Sequence, residues 1–384
     1  MPGLLPQVDP DGLLEYSVVY TDRALNHMSR RFQGVMTDLS AMLGEVYRAD
    51  ATVIVPGNGT CGMEAVARQF ANDSTALIVR NGFFSYRWSQ ILETGRITDP
   101  GRITVLKARR TGDGDQAPWL PAPIEDVEAE IARTKPDVVF VPHVETASGI
   151  LLPDDYLQRV GAATHASGGL FILDCIASGA VWVDMHALGV DVLVSAPQKD
   201  WTSPPGCAMV GLSDRAVAAL EHTTSTSFAL DLKKWREIMV AYETGGYAYY
   251  ATMPTMELLA LRDTMRETRE RGFAQTREQQ FVLGQKVRAL LTERGFASVA
   301  APGFEAPGVV VSYTSDPEVR NGQKFLAQGL QTATGVPLMC DEPDTFSTFR
   351  IGLFGLDKMA DVEGTVARLG DALDRMDYKK SPAN

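Results

Sequence analysis

The sequence predicts an α/β fold: a large domain with a mainly parallel, doubly wound sheet, followed by a smaller α+β domain at the carboxyl end. Two observations predict it. From about Ala51, short β-rich apolar runs alternate with helical patterns over about 160 residues, which is typical of a parallel sheet covered by helices. Past about Ser213, long helices take over and a short mixed section follows.

The elements of the large domain follow from local pattern. Several of the β-rich runs are apolar almost throughout, as expected for strands that are buried on both faces of a sheet. The predicted strands are 51–55, 75–79, 103–108, 137–142, 170–174, 191–195 and 207–212. Helical patterns separate them and include 62–71, 124–134 and 153–165.

The remaining chain predicts two long helices and a small α+β unit. The helices are 253–272 and 276–295, and they are followed by strands at 308–314 and 348–353 and by helices near 320–334 and 358–376. We therefore expect an amino-terminal segment at 1–30, a large ligand-binding domain at 31–255, and a small domain with its linking helix at 256–384.

Composition excludes several classes of function. The chain has 384 residues, 45% of them hydrophobic, and a formal net charge of −12. A nucleic-acid partner is not expected, because binding the phosphate backbone needs a basic surface. A membrane partner is not expected either, because no apolar stretch of about 18 residues occurs. Four dispersed cysteines favour a reduced, cytoplasmic setting, and five scattered histidines predict no metal site.

Residues that could carry chemistry follow five of the predicted strands. Ligands of open α/β sheets bind at the carboxyl ends of the strands. A Gly-rich turn that suits a phosphate follows the first strand and contains Gly59. Phe84 follows the second, Thr146 follows 137–142, Asp174 closes 170–174, and Lys199 follows 191–195.

Each of these features is commonly structural when it occurs alone: a tight turn, a core aromatic, a helix cap, a loop carboxylate or a solvated lysine. Together they are the set that pyridoxal 5′-phosphate requires. The cofactor needs a cradle for its phosphate, an aromatic ring to stack on, a partner for its protonated ring nitrogen and a lysine that forms a Schiff base. The combination therefore predicts a pyridoxal-phosphate site.

The same residues lie within longer motifs. In chain order these are GNGTCGMEA, NGFFSYRW, HVETASGILLP, LDCIASG, SAPQKDWTSPPG, YYATMP and FRIGLFG. With this order and spacing, the chain from about His27 to the carboxyl-terminal domain resembles the class V, fold-type I pyridoxal-phosphate enzymes. Within them it is most similar to the alanine–glyoxylate/serine–pyruvate aminotransferase group.

The resemblance implies a role for each matching residue around the cofactor. Lys199 matches the Schiff-base lysine, which also moves the substrate proton, and Asp174 matches the partner of the pyridine nitrogen. Phe84 matches the aromatic residue that stacks on the ring. Further matches are Gly59 and Thr60 in the phosphate turn, Thr146 beside the phenolic oxygen, and Gln198 before the lysine.

The resemblance also implies a homodimer with shared active sites. Tyr249 and Thr252 match positions that reach the phosphate from the neighbouring subunit, and Arg350 matches the arginine that holds the substrate carboxylate. A guanidinium fits a carboxylate through two parallel hydrogen bonds. The amino-terminal segment departs from the family pattern, and its Tyr16 and Tyr20 are candidate substrate contacts.

The expected function is transamination from a small amino acid (alanine, serine or aspartate type) to a 2-oxo acid such as glyoxylate or pyruvate, by ping-pong chemistry. A lyase, epimerase or desulfurase of the same class is the alternative, although desulfurases usually carry histidine where Gln198 stands. A nucleotide-binding or regulatory α/β protein without a covalent cofactor is a further alternative, and for it Lys199 is dispensable.

Overall fold

The computed structural model describes residues 13–378. Its helices are α1 Arg30–Tyr47, α2 Gly59–Phe70, α3 Phe83–Thr94, α4 Ile124–Thr134, α5 Asp154–Ser167, α6 Met185–Leu188, α7 Pro197–Asp200, α8 Asp214–Leu220, α9 Leu232–Glu243, α10 Thr255–Arg271, α11 Phe273–Glu293, α12 Pro317–Arg320, α13 Gln323–Ala327, α14 Leu356–Ala360 and α15 Val362–Arg375. Its strands are β1 Ala51–Pro56, β2 Ala76–Arg80, β3 Ile103–Lys107, β4 Arg109–Arg110, β5 Trp119–Leu120, β6 Val138–Pro142, β7 Val144–Glu145, β8 Ile150–Leu151, β9 Leu170–Asp174, β10 Val192–Ser195, β11 Cys207–Leu212, β12 Val309–Tyr313, β13 Ala333–Thr334 and β14 Thr348–Gly352.

The large sheet confirms the predicted α/β architecture. Its seven strands lie in the order β1-β11-β10-β9-β6-β2-β3. The pairs from β10 to β3 are parallel, whereas β11 is antiparallel to both of its neighbours. All the strands except β11 therefore point the same way, and their carboxyl ends meet at one edge of the sheet.

Burial explains why the central strands read as unbroken apolar runs. Every residue of β2, β6, β10 and β11 is buried, because helices such as α2 and α5 pack against the sheet. A strand that is covered on both faces cannot alternate apolar with polar side chains. No helix within residues 13–378 combines the length and the apolar character needed to cross a bilayer.

A separate antiparallel sheet, in the order β12-β14-β13, lies in the carboxyl-terminal part of the chain. Strand β12 joins two cores because its side chains alternate between opposite faces. Val309 and Val311 pack into the main core, whereas Val310 packs into a second core with Phe325 and Phe349. This alternation attaches the small sheet to the large one.

The structure corrects two predicted helices of the small unit. The helix expected near 358–376 is divided at Asp361 into α14 and α15. The sequence predicts a helix near 320–334, but two short helices, α12 and α13, stand there and are followed by β13. Gly322 and Gly329 have φ of 80° and 78°. This left-handed conformation interrupts a right-handed helix, and glycine adopts it without the steric cost other residues incur.

Candidate active site

A cavity of about 280 Å³ opens at the carboxyl edge of the large sheet. Its walls come from the start of α2, the start of α3, the end of β9 and the short helix α7. The structure brings together most of the residues that the sequence predicts for the cofactor, namely Gly59, Thr60, Phe84, Thr146, Asp174, Gln198 and Lys199. These residues are up to 140 positions apart in the chain, and the common direction of the strands is what gathers them (199 − 59 = 140).

The start of α2 has the properties of a phosphate cradle. The Asn58 side chain caps the helix by accepting the Cys61 N–H at 3.1 Å. Gly59 follows, and a Cβ atom at this position would lie 2.8 Å from Ile176 Cδ1, which leaves no room for a side chain. The unpaired N–H groups and the dipole of a helix amino terminus attract anions.

Asp174 is a carboxylate held in a mostly apolar wall. It is buried, and its Oδ1 accepts the Ile176 N–H at 2.9 Å. Burial raises the pKa of Asp174 from 3.8 to about 6, although the Ile176 N–H and the Lys199 charge oppose the rise. A cationic nitrogen next to this carboxylate would relieve the cost of burying its charge.

Thr146 supplies a hydroxyl with no partner. Its Oγ1 is buried and makes no hydrogen bond to any residue between 13 and 378. A buried polar atom that is left unpaired costs free energy, so such atoms in native proteins usually meet a ligand or water. The phenolic oxygen of pyridoxal phosphate is a suitable acceptor.

Lys199 lies on the single turn of α7 with its amine inside the cavity. Its Nζ is 5.6 Å from the centre of the Phe84 ring and 6.0 Å from that of Phe354. Burial lowers the pKa of Lys199, and the nearby carboxylates Asp174 and Asp200 oppose the change. A lowered pKa increases the neutral, nucleophilic fraction of the amine, as Schiff-base chemistry requires.

Asp200 fixes the turn that carries Lys199. Its Oδ1 accepts the Gly179 N–H at 2.7 Å, and its Oδ2 accepts the Ser195 hydroxyl at 2.8 Å. Tyr47 in turn donates its hydroxyl to Ser195 Oγ at 3.3 Å. Asp200 therefore ties α7 to the end of β10 and to the loop after β9. Burial raises the pKa of this carboxyl well above its ordinary range.

Phe84 is held in place by a residue that the sequence analysis missed. The buried carboxylate of Glu145 accepts the backbone N–H groups of Phe84 and Ser85 at 3.2 and 2.8 Å, and it also accepts the Ser85 hydroxyl at 2.7 Å. It thus caps the amino terminus of α3, the helix that presents Phe84. The only sequence signal was the position of Glu145 beside Thr146 in HVETASG.

Two arginines flank the Phe84 ring. Arg350 Cζ lies 5.5 Å from the ring centre, and Arg350 donates from Nε to the Thr334 carbonyl at 2.9 Å and from Nη1 to the Thr146 carbonyl at 3.5 Å. Burial lowers the pKa of Arg350. Arg87 Cζ lies 5.2 Å from the same ring centre, and its Nη1 donates to Thr60 Oγ1 at 3.0 Å. The sequence analysis predicted Arg350 but missed Arg87.

Five of the predicted residues do not line this cavity in the single chain: Arg350, described above, and Tyr249, Thr252, Tyr20 and Tyr16. Tyr249 and Thr252 share a hydrogen bond of 3.2 Å between their hydroxyl groups. Tyr20 donates its hydroxyl to the Met253 carbonyl at 3.1 Å and lies beside His27, which also contacts Tyr249. Tyr16 is 89% exposed.

Comparison with known proteins relates the whole arrangement to aminotransferases of differing substrates. The alanine–glyoxylate aminotransferase of Callithrix jacchus is 26% identical over 370 residues, which cover 93% of this chain and 84% of the relative. A 2-aminoethylphosphonate–pyruvate transaminase of Syntrophobacter fumaroxidans is 27% identical over 370 residues, which cover 90% of each. The crystal structure of an alanine–glyoxylate aminotransferase from Nostoc sp. superposes with a TM-score of 0.76 at 20% identity, covering 90% of this chain and 88% of that one.

The family comparison fits the chemistry of the cavity. The model of the family "Aminotransferase class-V" matches residues 12–355. The cofactor of such enzymes is pyridoxal 5′-phosphate, and the residues present suit it: the cradle at Gly59, the orphaned hydroxyl of Thr146, the buried Asp174 and the amine of Lys199. The chain belongs to the class V aminotransferases and is a pyridoxal-phosphate enzyme of the transferase type.

Proposed function

We propose that this enzyme moves an amino group from a small amino acid of the alanine, serine or aspartate type to a 2-oxo acid such as glyoxylate or pyruvate, in a ping-pong cycle. One observation carries the proposal: Lys199 and Arg350, a nucleophilic amine and a guanidinium, both lie near the Phe84 ring, 5.6 and 5.5 Å from its centre. A site that transfers the amino group of an amino acid needs these two groups close together.

Lys199 and Asp174 are proposed as the catalytic pair. When bound, the cofactor supplies an aldehyde for the amino group and a ring that accepts electrons from a bond at Cα. The Nζ atom of Lys199 would hold the cofactor through its aldehyde and, when free, would take the proton from the substrate Cα. The Asp174 carboxylate holds a proton on the ring nitrogen.

The remaining walls orient the cofactor. Phe84 offers a ring face for stacking, the Thr146 hydroxyl bonds the phenolic oxygen, and Gly59 and Thr60 receive the phosphate. Gln198 lies at the exposed rim of the cavity beside Lys199. Substrate orientation is assigned to Arg350, whose guanidinium matches a carboxylate in charge and in hydrogen-bond geometry.

We further propose that two chains form a dimer and complete each other's cavities. The exposed aromatics Tyr16 and Tyr249 lie outside the cavity of their own chain, and in a dimer they and Thr252 and Tyr20 meet the partner's site. Tyr16 and Tyr20 belong to the expected amino-terminal segment 1–30, and its described part, 13–30, then contributes to the interface. We propose the remaining chain as a large cofactor-binding domain, 31–255, and a small domain, 256–384. The cysteines of the chain are free thiols, which fits a cytoplasmic enzyme.

Complementation tests the shared site. Lys199→Ala and Tyr249→Phe/Thr252→Ala chains are each expected to be inactive or weak, but a mixed dimer regains one complete site. Recovery of activity on mixing, up to about a quarter of wild type for random reassortment, supports the proposal. Absence of recovery in a dimer shown to be mixed would remove these residues from the partner's site.

The reaction itself is tested by absorption spectroscopy of the purified enzyme. One amino acid is added at a time, without a 2-oxo acid. Loss of the yellow cofactor band with stoichiometric release of a 2-oxo acid identifies a transaminase and names its amino donor. If ammonia, sulfide or racemised amino acid forms instead, the enzyme is a lyase, desulfurase or epimerase of the same class. A protein that cannot be reconstituted with pyridoxal phosphate contradicts the whole assignment.

A further inference from the structure

Arg87 lines the cavity without a role in the proposal above. It is half-buried on α3, three residues after Phe84, and the start of α2 lies beside it. On the basis of the proposed function, we propose that Arg87 is a direct ligand of the cofactor's phosphate group, completing the cradle that Thr60 and the amino terminus of α2 begin.

The hydrogen bonds of Arg87 leave most of its guanidinium free. Its Nη1 donates to Thr60 Oγ1 at 3.0 Å, and Thr60 is the second residue of α2. No carboxylate between residues 13 and 378 forms an ion pair with Arg87. A guanidinium has five N–H donors in a planar fork, so donors remain for the oxygens of a phosphate held at the same helix start.

A phosphate bound at the start of α2 needs a positively charged side chain beside it. A phosphate monoester carries between one and two negative charges at neutral pH, whereas the helix dipole supplies only about half a positive charge. The Lys199 amine is committed to the aldehyde. Among residues 13–378, Arg87 and Lys199 are the only lysine or arginine side chains that line this cavity, so Arg87 is the cation available to the phosphate.

The two arginines near Phe84 bond different parts of the site. Arg87 bonds Thr60 at the start of α2, whereas Arg350 bonds the carbonyl of Thr146. In pyridoxal phosphate the phosphate arm and the phenolic oxygen flank the aldehyde carbon on opposite sides. With Thr146 at the phenolic oxygen, Arg87 is on the phosphate side, and Arg350 remains for the substrate.

A purely structural role is the competing explanation. Arg87 Cζ lies 5.2 Å from the centre of the Phe84 ring, within the range of a cation–π contact. An arginine that only supports Phe84 would affect every ligand that stacks on this ring. An arginine that binds phosphate would affect only ligands that carry one.

Pyridoxal distinguishes the two roles, because it keeps the ring and the aldehyde but lacks the phosphate. The apoenzyme of wild type, Arg87→Met and Arg87→Lys is titrated with each compound, and the dissociation constants are read from absorbance or quenching of tryptophan fluorescence. We expect Arg87→Met to raise the dissociation constant of pyridoxal phosphate by about 10- to 100-fold. The dissociation constant of pyridoxal should change by no more than about twofold. Arg87→Lys should recover part of the loss because it restores a positive charge.

Arg96→Met is the matched control, since it removes the same charge from an exposed position just after α3, and it should leave both dissociation constants unchanged. Equal weakening of both compounds by Arg87→Met would overturn the inference in favour of support for Phe84. Unchanged binding of both would overturn it as well. Wild-type enzyme that binds neither compound would contradict the proposed function itself, so the two failures are distinguishable.

Discussion

The Glu145 carboxylate accepts the backbone N–H of Phe84 at 3.2 Å, and this contact ties the ring that forms one wall of the cavity to the hairpin turn that carries Thr146. Glu145 Oε1 also accepts the Ala147 N–H at 2.9 Å. The carboxylate thus bridges α3 and the β7–β8 hairpin. Its negative charge lies at the amino terminus of α3, where the helix dipole favours it.

Replacing Glu145 with glutamine should loosen Phe84. An amide has one oxygen where the carboxylate has two, so at least one of the N–H groups it satisfies loses its acceptor. We expect the free energy of unfolding to fall by about 1–3 kcal/mol. The binding of pyridoxal phosphate and of pyridoxal should weaken to the same extent. Urea unfolding and ligand titration measure both effects.

Glu342→Gln is the control for this variant. The Glu342 carboxylate likewise accepts backbone N–H groups, from Leu338, Met339 and Cys340, but it lies outside the cavity. Its replacement should lower stability and leave the binding of both ligands unchanged. If Glu145→Gln behaves in the same way, the carboxylate is structural and does not position Phe84.

The raised pKa of Asp174 predicts that the stability of the apoenzyme depends on pH. Because burial raises the folded pKa from 3.8 to about 6, the buried carboxyl is best tolerated when protonated, below about pH 4. As the pH rises through 6 the carboxyl ionises, and the free energy of unfolding of the apoenzyme falls by up to about 3 kcal/mol. Asp174→Asn, which stays neutral, should therefore be more stable than wild type above pH 6 without cofactor.

The sign of this difference is the test. The free energy of unfolding of the two apoenzymes is measured with urea between pH 4 and 8. The two values should be similar near pH 4, and the variant should be the more stable protein near pH 8. The same substitution should weaken the binding of pyridoxal phosphate, because the ring nitrogen loses its anionic partner. Parallel stability curves across this pH range would show that Asp174 is ionised in the folded apoenzyme throughout.

Lys199 should be the site of covalent attachment. Borohydride reduction of the reconstituted enzyme is expected to fix one cofactor per chain on the peptide that contains Lys199, as measured by mass spectrometry after digestion. Lys199→Arg keeps a positive charge near Phe84 and should still bind pyridoxal phosphate, but it should show no fixed label. Label on another lysine in the wild-type protein would contradict the assignment.

Arg350 should act on the carboxylate of the substrate. Arg350→Lys keeps the charge but loses the planar fork, so kcat/KM for the amino donor should fall by at least about tenfold, mainly through KM. The dissociation constant of pyridoxal phosphate should not change. An amine of similar size without a carboxylate should react slowly, and at the same rate with wild type and Arg350→Lys. If kcat/KM for that amine falls as much as for the amino acid, Arg350 does not act on the substrate carboxylate.

The sequence by itself determined the parallel architecture and much of the cavity. Apolar runs alternating with helices fix the strands, and residues that follow parallel strands, such as Asp174 and Lys199, necessarily meet at one edge. Tertiary structure alone decided the antiparallel course of β11, the break in the helix predicted near 320–334, and the contributions of Glu145 and Arg87. Those two side chains act across elements that are distant in sequence: Glu145 on a helix start 60 residues away, and Arg87 on Thr60, 27 residues away. Local patterns cannot specify such contacts, because they depend on how the packed helices and strands are placed relative to one another.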